Sequence, residues 1–198
     1  MIPVVLASAS PIRATLLRNA GVDFTVDPAG IGEDDVKVSL KAEGASAAHV
    51  ADTLADLKAR QVSMRHPGAL VIGADQVLEC DGVLFDKPYD LTGAKNTLYA
   101  LQGRTHTLVS AAVISRDRNR IWQQAAKVKM TMRRLGEAEI DAYLARAGDS
   151  VCASVGAYQL EGLGAQLFTR VEGDFFTVLG LPLLPILGFL RSQRADAV

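Results

Sequence analysis

The chain opens on a continuous apolar run, Pro3-Val-Val-Leu-Ala7, consistent with a strand buried on both faces. Ser10-Pro11 then supplies an N-cap and a first-turn proline for a helix carrying Leu16 and Leu17, and Gly21 stands where that helix should end. Phe24 and Val26 alternate as a short second strand. Residues 27–45 are rich in glycine and charge without clean periodicity, which predicts a long loop of the kind that often carries function. From Ser46 the apolar positions fall on a helical stripe of Ala47, Val50, Ala51, Leu54 and Leu57, which runs until His66-Pro67-Gly68 stops it.

Ala69–Ile72 is a fully apolar strand that Gln76–Cys80 continues, and Asp81-Gly82 is the strongest two-residue hairpin signal in the chain. Leu91, Ala94, Leu98 and Leu101 form a helical stripe capped near Asp90 or Thr92. Two long strands are expected over 107–115 and 121–132, joined by the charged turn 116–120. The amphipathic helix over 136–147 has Glu137 and Glu139 at its start and Arg146 at its end, the polarity that the helix dipole favours. A glycine-rich stretch over 148–164 and a strand over 166–171 lead into the apolar run 175–190. That run has 16 residues, short of the roughly 20 that cross a bilayer, and Pro182 and Pro185 interrupt it. No membrane span is expected.

Composition narrows the chemistry. A chain of 198 residues, 49% hydrophobic and 22% charged, fits one or two domains and can form a core without disulfide or metal staples. Its 21 basic and 22 acidic side chains lack the cationic surplus of a duplex nucleic-acid binder, so any phosphate chemistry must come from local placement of charge. Cys80 and Cys152 make no C-x-x-C pair, and His49, His66 and His106 show no metal-ligand spacing; a reducing compartment and no structural zinc are expected. The stretch Ile2–Ala9 lacks the basic start of a signal peptide, which predicts a cytoplasmic protein.

Four features are hard to explain by folding alone. In Leu6-Ala-Ser-Ala-Ser-Pro-Ile-Arg13 a strand ends in small residues before a helix start, so free N–H groups and the dipole can meet an anion, with Ser8, Ser10 and Arg13 adding donors. An ordinary capped helix with a surface arginine explains the same residues. Asp75 follows a buried strand and Gly73, where a base or metal ligand finds rigid support, or where a turn carboxylate meets local N–H groups. Lys58 projects from the stripe that should face the core, either snorkelling to water or meeting a buried phosphate. Lys87 in Asp86-Lys87-Pro88 is held by the following proline, and a solvated turn explains it equally well.

Dinucleotide binding is not expected, because Leu167 occupies the third glycine position after Gly162-Leu-Gly164 and no βαβ unit is placed correctly. The chain also has no G-x-x-x-x-G-K-[ST] and no G-x-S-x-G, which removes phosphate-loop ATPases and seryl hydrolases.

Taken in order along nearly the whole chain, LASASPIRATLL (6–17), the Lys58-Ala59 pair, VIGADQV (71–77), DKP (86–88), LQGRTH (101–106), GAYQLEG (156–162) and VLGLPL (178–183) resemble the Maf family of nucleoside triphosphate pyrophosphatases, also called septum formation inhibitor proteins. The resemblance implies an α/β fold similar to the inosine triphosphate pyrophosphatases: a long mixed sheet flanked by helices, one domain over 1–198 with two lobes around a nucleotide cleft. It implies release of a nucleoside monophosphate and pyrophosphate with a divalent cation, Mg2+ or Mn2+, and a homodimer, since relatives often form one. Carried over to this chain, the catalytic aspartate is Asp75, the metal ligands are Glu33 and Asp75, and the phosphate-binding cations are Arg13, Lys58 and Lys87. Ser8 and Ser10 add phosphate donors.

One branch of the family, active on dTTP and UTP, usually has SPRR, GADT and GIQG where this chain has Ser10-Pro-Ile-Arg13, Gly73-Ala-Asp-Gln76 and Gln159-Leu-Glu-Gly162. The other branch, associated with 7-methyl-GTP and related modified or pyrimidine nucleotides, usually has an aromatic, then Gln and Glu. Gln76 and Glu161 match that second branch, and Ile12 stands where its aromatic would be. A carboxylate at 161 can accept from the N1–H and exocyclic amine of a guanine edge or balance a methylated, cationic ring, whereas glutamine suits uracil. Two other functions compete with the enzyme: a nucleotide-binding regulator of division with little turnover, and an RNA-binding module. The charge balance and the lack of an aromatic-basic ladder argue against the RNA module.

Overall fold

Among residues 2–193, which a computed structural model describes, seven strands form one mixed sheet. In chain order the elements are β1 (Val4–Leu6), α1 (Pro11–Asn19), β2 (Thr25–Val26), α2 (Glu33–Ala42), α3 (Ala47–Ser63), β3 (Leu70–Cys80), β4 (Val83–Phe85), α4 (Leu91–Leu101), β5 (Thr105–Arg116), β6 (Asn119–Met132), α5 (Glu137–Ala147), β7 (Phe168–Glu172), α6 (Phe175–Val178) and α7 (Leu183–Ser192). The strand order is β2-β1-β3-β5-β6-β7, with β4 also on β3. β1 runs parallel to β2 and β3, while the β3–β4 and β6–β7 pairs are antiparallel. This is the α/β class expected.

The chain divides into two compact units, and β3, β5 and β6 each contribute residues to both. The first takes the chain up to Gln76, Ser110–Ala126 and the residues from Gly180 onward; the second takes Val77–Val109 and Lys127–Leu179. In the first, the apolar stripe of α3 is buried along Ala47, Val50, Ala51, Leu54, Ala55, Ala59 and Val62, with Lys58 among them. Ser46 Oγ caps that helix by accepting from the His49 N–H at 3.2 Å. Leu57 was expected on the stripe but is 38% exposed, because the buried face follows positions 54, 55, 58 and 59.

Gly73 sets how closely α3 lies on β3. A Cβ there would sit 2.6 Å from Ala59 N and 2.9 Å from Ala59 Cβ, and would also strike Ala55 O. Only a residue without a side chain permits this approach of helix backbone to strand.

The second unit has its own core, in which Leu78, Leu98, Leu101, Leu108, Met130 and Ile140 are buried. Asp81 and Gly82, at φ 50° and 80°, make the expected tight turn between β3 and β4. Asp90 caps α4 through Oδ1 and the Gly93 N–H at 2.8 Å. His106 is buried in this core at 1% exposure.

Two expectations are corrected. Residues 27–45 are not one loop, since α2 occupies 33–42. Glu33, Asp34 and Asp35 in its first turn and Lys41 in its last complement the helix dipole, but it buries no side chain, so no apolar stripe announced it. β3 does not end before Asp75 but runs on to Cys80, so Asp75 is a mid-strand residue and not a turn carboxylate. The run 175–190 is interrupted at Pro182, as expected, and is split into α6 and α7; no described helix is long and apolar enough to cross a membrane.

Two stability outcomes follow from this packing. Gly73→Ala should lower the free energy of unfolding by about 3 kcal/mol through overpacking against α3, as urea titration will measure; an unchanged midpoint would contradict the close approach. Burial holds His106 down from its ordinary 6.5 to about 4. A histidine kept neutral by folding leaves its full contribution above its unfolded value, and that contribution fades as pH falls toward the folded one. The urea midpoint should therefore drop between pH 6.5 and 4, and drop less in His106→Leu; equal pH slopes in the two proteins would refute this.

Candidate functional site

The site begins where β1 stops and β3 does not. Leu6 pairs with Ile72, and the Ala7 N–H still reaches Ile72 O at 2.8 Å, but β3 continues for eight more residues. Asp75 lies on that continuation, three residues past Ile72, the last β3 residue paired with β1, so it stands beyond the carboxyl end of the parallel strand β1, where open α/β sheets take ligands. Behind it, α3 is close enough, because of Gly73, for the buried Lys58 to reach across.

Lys58 Nζ donates to Asp75 Oδ1 at 2.7 Å and lies 3.0 Å from Glu33 Oε2. The side chains of Lys58 and Asp75 are each 8% exposed, against 37% for Glu33, the first residue of α2. An ammonium in so dry a place needs such partners. The snorkelling alternative for Lys58 is thereby ruled out. Asp75 Oδ2 is also buried, and it meets no hydrogen-bond partner. An orphaned carboxylate oxygen is a costly feature that a cation or a water donor relieves.

Arg13, on α1, is the second cation. Its Nη1 donates to Ser8 Oγ at 3.2 Å and to Ala74 O at 3.0 Å, and its Nε donates to Gly180 O at 3.0 Å. These bonds tie the end of β1, the residue before Asp75 and the start of the 180–182 segment to one planar group. Burial pulls the Arg13 pKa down, and the nearby Asp75 and Glu33 carboxylates push it back up. Two cations and two carboxylates therefore share this region. Gly180, at φ 101°, leaves room for the guanidinium; a Cβ there would sit 3.1 Å from Arg13 Nε.

Ser10 occupies the N-cap position of α1, with Pro11 following, but its side chain makes no cap bond. Its N–H donates instead to Ser8 Oγ at 3.3 Å. Ser8 Oγ thus serves Arg13 and the loop together. Ile12 is half-buried on α1, and Gln76 Nε2 donates to Ser110 Oγ at 2.9 Å. Lys87 and Glu161 belong to the second unit; both are exposed, Lys87 just after β4 and Glu161 in a turn closed by the Gly162 N–H on Gln159 O at 3.1 Å.

Sequence reasoning missed Gly180 and the two carbonyls that hold Arg13, since backbone acceptors leave no mark on residue type. The VLGLPL landmark was the signal that could have pointed there.

Among the described residues, no three His, Cys, Asp or Glu side chains gather as a metal cage. That composition does not suit a zinc centre. Magnesium differs, since it is bound through one or two carboxylates and completed by water and substrate phosphates. Glu33 and Asp75, held by one ammonium and with a free buried oxygen on Asp75, fit that lesser demand.

Comparison with known proteins places this geometry in a family. The model of the family described as Maf-like protein matches residues 3–193. A nucleoside triphosphate pyrophosphatase of Paramagnetospirillum magneticum is 57% identical over 95% of this chain and 97% of its own length. One of Rhodospirillum rubrum is 52% identical over 96% and 95%. A 7-methyl-GTP pyrophosphatase of Brucella abortus is 46% identical over 98% and 97%. Among solved structures, a HAM1 protein from Coxiella burnetii superposes with a TM-score of 0.49 at 14% identity, covering 98% of this chain and all of that one. Matched by the family model over all but its outermost residues, the chain belongs to the Maf family.

Proposed function

We propose that this chain hydrolyses nucleoside 5'-triphosphates to the monophosphate and pyrophosphate. The observation that carries the reading is the Lys58 ammonium held between Asp75 and Glu33 with Asp75 Oδ2 buried and unpartnered, in a chain whose relatives at 57% and 52% identity are nucleoside triphosphate pyrophosphatases.

A triphosphate brings about four negative charges, and phosphoryl transfer is catalysed mainly by positioning and by stabilising that charge. Lys58 and Arg13 supply cationic charge on the first unit. The Lys58 ammonium can pass from the carboxylates to a phosphate oxygen by rotating its flexible stem. Asp75 then has both oxygens available, and Oδ2 orients the attacking water and takes its proton. Ser8 and Ser10 hold the loop before α1 so that Arg13 stays aligned. A magnesium or manganese ion on Glu33 and Asp75 would neutralise charge at the phosphoryl group under attack. Lys87 is assigned a phosphate contact on its DKP motif, together with its exposure.

For the base, we favour 7-methyl-GTP or a related modified nucleotide over dTTP and UTP. Gln76 and Glu161 support this, as does the relative at 46% identity that is a 7-methyl-GTP pyrophosphatase. The Glu161 carboxylate, exposed in its turn, can accept two hydrogen bonds from a guanine edge or balance a methylated ring.

The test is a panel of 7-methyl-GTP, CTP, UTP and dTTP, assayed for pyrophosphate with Mg2+, Mn2+ or chelator. Pyrophosphate release that needs metal and favours 7-methyl-GTP is expected. A dTTP preference would overturn the base assignment, and nucleotide binding without pyrophosphate release would favour a regulator instead. Lys58→Met should abolish most turnover and cost about 3 kcal/mol in stability, because it leaves the buried Asp75 carboxylate uncompensated; a variant as stable and active as the parent would contradict the role given to Lys58.

A further inference from the structure

The second unit carries a buried polar pair that catalysis does not use. His106 Nε2 lies 2.7 Å from Tyr158 Oη, and the two residues are 1% and 3% exposed. The Phe168 ring packs edge-on against both, with centroids 4.7 Å from Tyr158 and 5.8 Å from His106. Tyr158 Oη also lies 3.4 Å from Met130 Sδ. The other imidazole nitrogen, His106 Nδ1, is buried without a hydrogen-bond partner.

Such a pair is a poor device for stability. Two apolar side chains of the same shape would fill the space without desolvating an imidazole and a phenol, and replacing both members of a buried hydrogen bond is often near neutral. What a directional bond adds is a single register for the tyrosine. The chain around Tyr158 is fixed unusually tightly. Ala157 holds φ at 57°, an uncommon value for a residue with a side chain, and Tyr143 Oη donates to its carbonyl at 3.3 Å. A Cβ on Gly156 would sit 2.8 Å from Tyr158 Cδ1, and one on Gly164 would sit 2.8 Å from Gln159 N. The turn that begins at the next residue, Gln159–Gly162, carries Glu161.

We infer that His106, acting through Tyr158, positions the Gln159–Gly162 turn so that Glu161 discriminates between bases. This rests on the base-reading role given to Glu161 above. His106 is a positioning residue: it need touch neither the nucleotide nor the reacting atoms.

Two readouts test this, one independent of turnover. Amide hydrogen exchange at the Gly162 N–H should be about tenfold faster in His106→Leu and in Tyr158→Phe, the scale of one lost buried hydrogen bond. In steady-state kinetics both variants should lower the kcat/KM ratio of 7-methyl-GTP to UTP by about tenfold, with the change in KM and little in kcat. His106→Gln, whose amide can reach the same hydroxyl, should restore both, and the double variant His106→Leu/Tyr158→Phe should be no worse than either single one. Unchanged exchange at Gly162, or an unchanged substrate ratio in variants that have lost only thermal stability, would overturn the inference. Absence of turnover in the parent protein would instead defeat the functional reading, with the exchange measurement still deciding whether His106 holds the turn.

Discussion

Lys58 carries its ammonium to a place largely sheltered from water, and that is tolerable only while Asp75 and Glu33 stay within 3.0 Å of it. Much of the first unit can be understood from this requirement. α3 must lie unusually close to β3, hence Gly73 and the small residues Ala55 and Ala59 opposite it. β3 must continue beyond its β1 partner, so that Asp75 is held by a strand and not by a mobile turn. α2, which buries nothing of its own, is joined to this centre through Glu33.

On the proposed function the same arrangement suits a charged ligand. Lys58 and Arg13 face Asp75 and Glu33, so the group is close to balanced and costs less to desolvate than any one member alone. A cation and a polyphosphate arriving together can exchange partners with it, carboxylates turning to the cation and the ammonium to phosphate, without leaving a bare charge at any stage. Arg13 is less free to move than Lys58, because carbonyls of Ala74 and Gly180 hold its fork. On the proposed function the flexible cation would follow the phosphates, while the fixed one keeps Ser8, Ala74 and Gly180 in register.

The chemistry was more legible in the sequence than the geometry that supports it. Lys58 on an apolar helical stripe and Asp75 after a buried run were conspicuous because a charge at such a position demands a reason. The helix-starting serines and proline and the Asp81-Gly82 turn were visible because they depend on local backbone chemistry. What could not be read was set by tertiary contact. α2 has no buried stripe, so its helical state left only an acidic first turn as a sign. That β3 stays unbroken through Gly73, Ala74 and Asp75, between the two stretches that did read as extended, depends on its neighbours in the sheet, and the anchoring of Arg13 depends on carbonyls that any residue could provide. Tyr158 and His106 stand 52 positions apart, and no local pattern announces their bond.

On the proposed function the carboxylate of Asp75 drives cleavage, while its amide isostere keeps a hydrogen bond to Lys58 through Oδ1 and leaves Glu33 as the counter-charge, so that the fold is retained at some cost in stability. The direct measurement is pyrophosphate release by Asp75→Asn beside the parent, on protein shown by thermal unfolding to remain folded. The account predicts loss of most turnover with the fold retained. Pyrophosphate release at the parent's rate would contradict it.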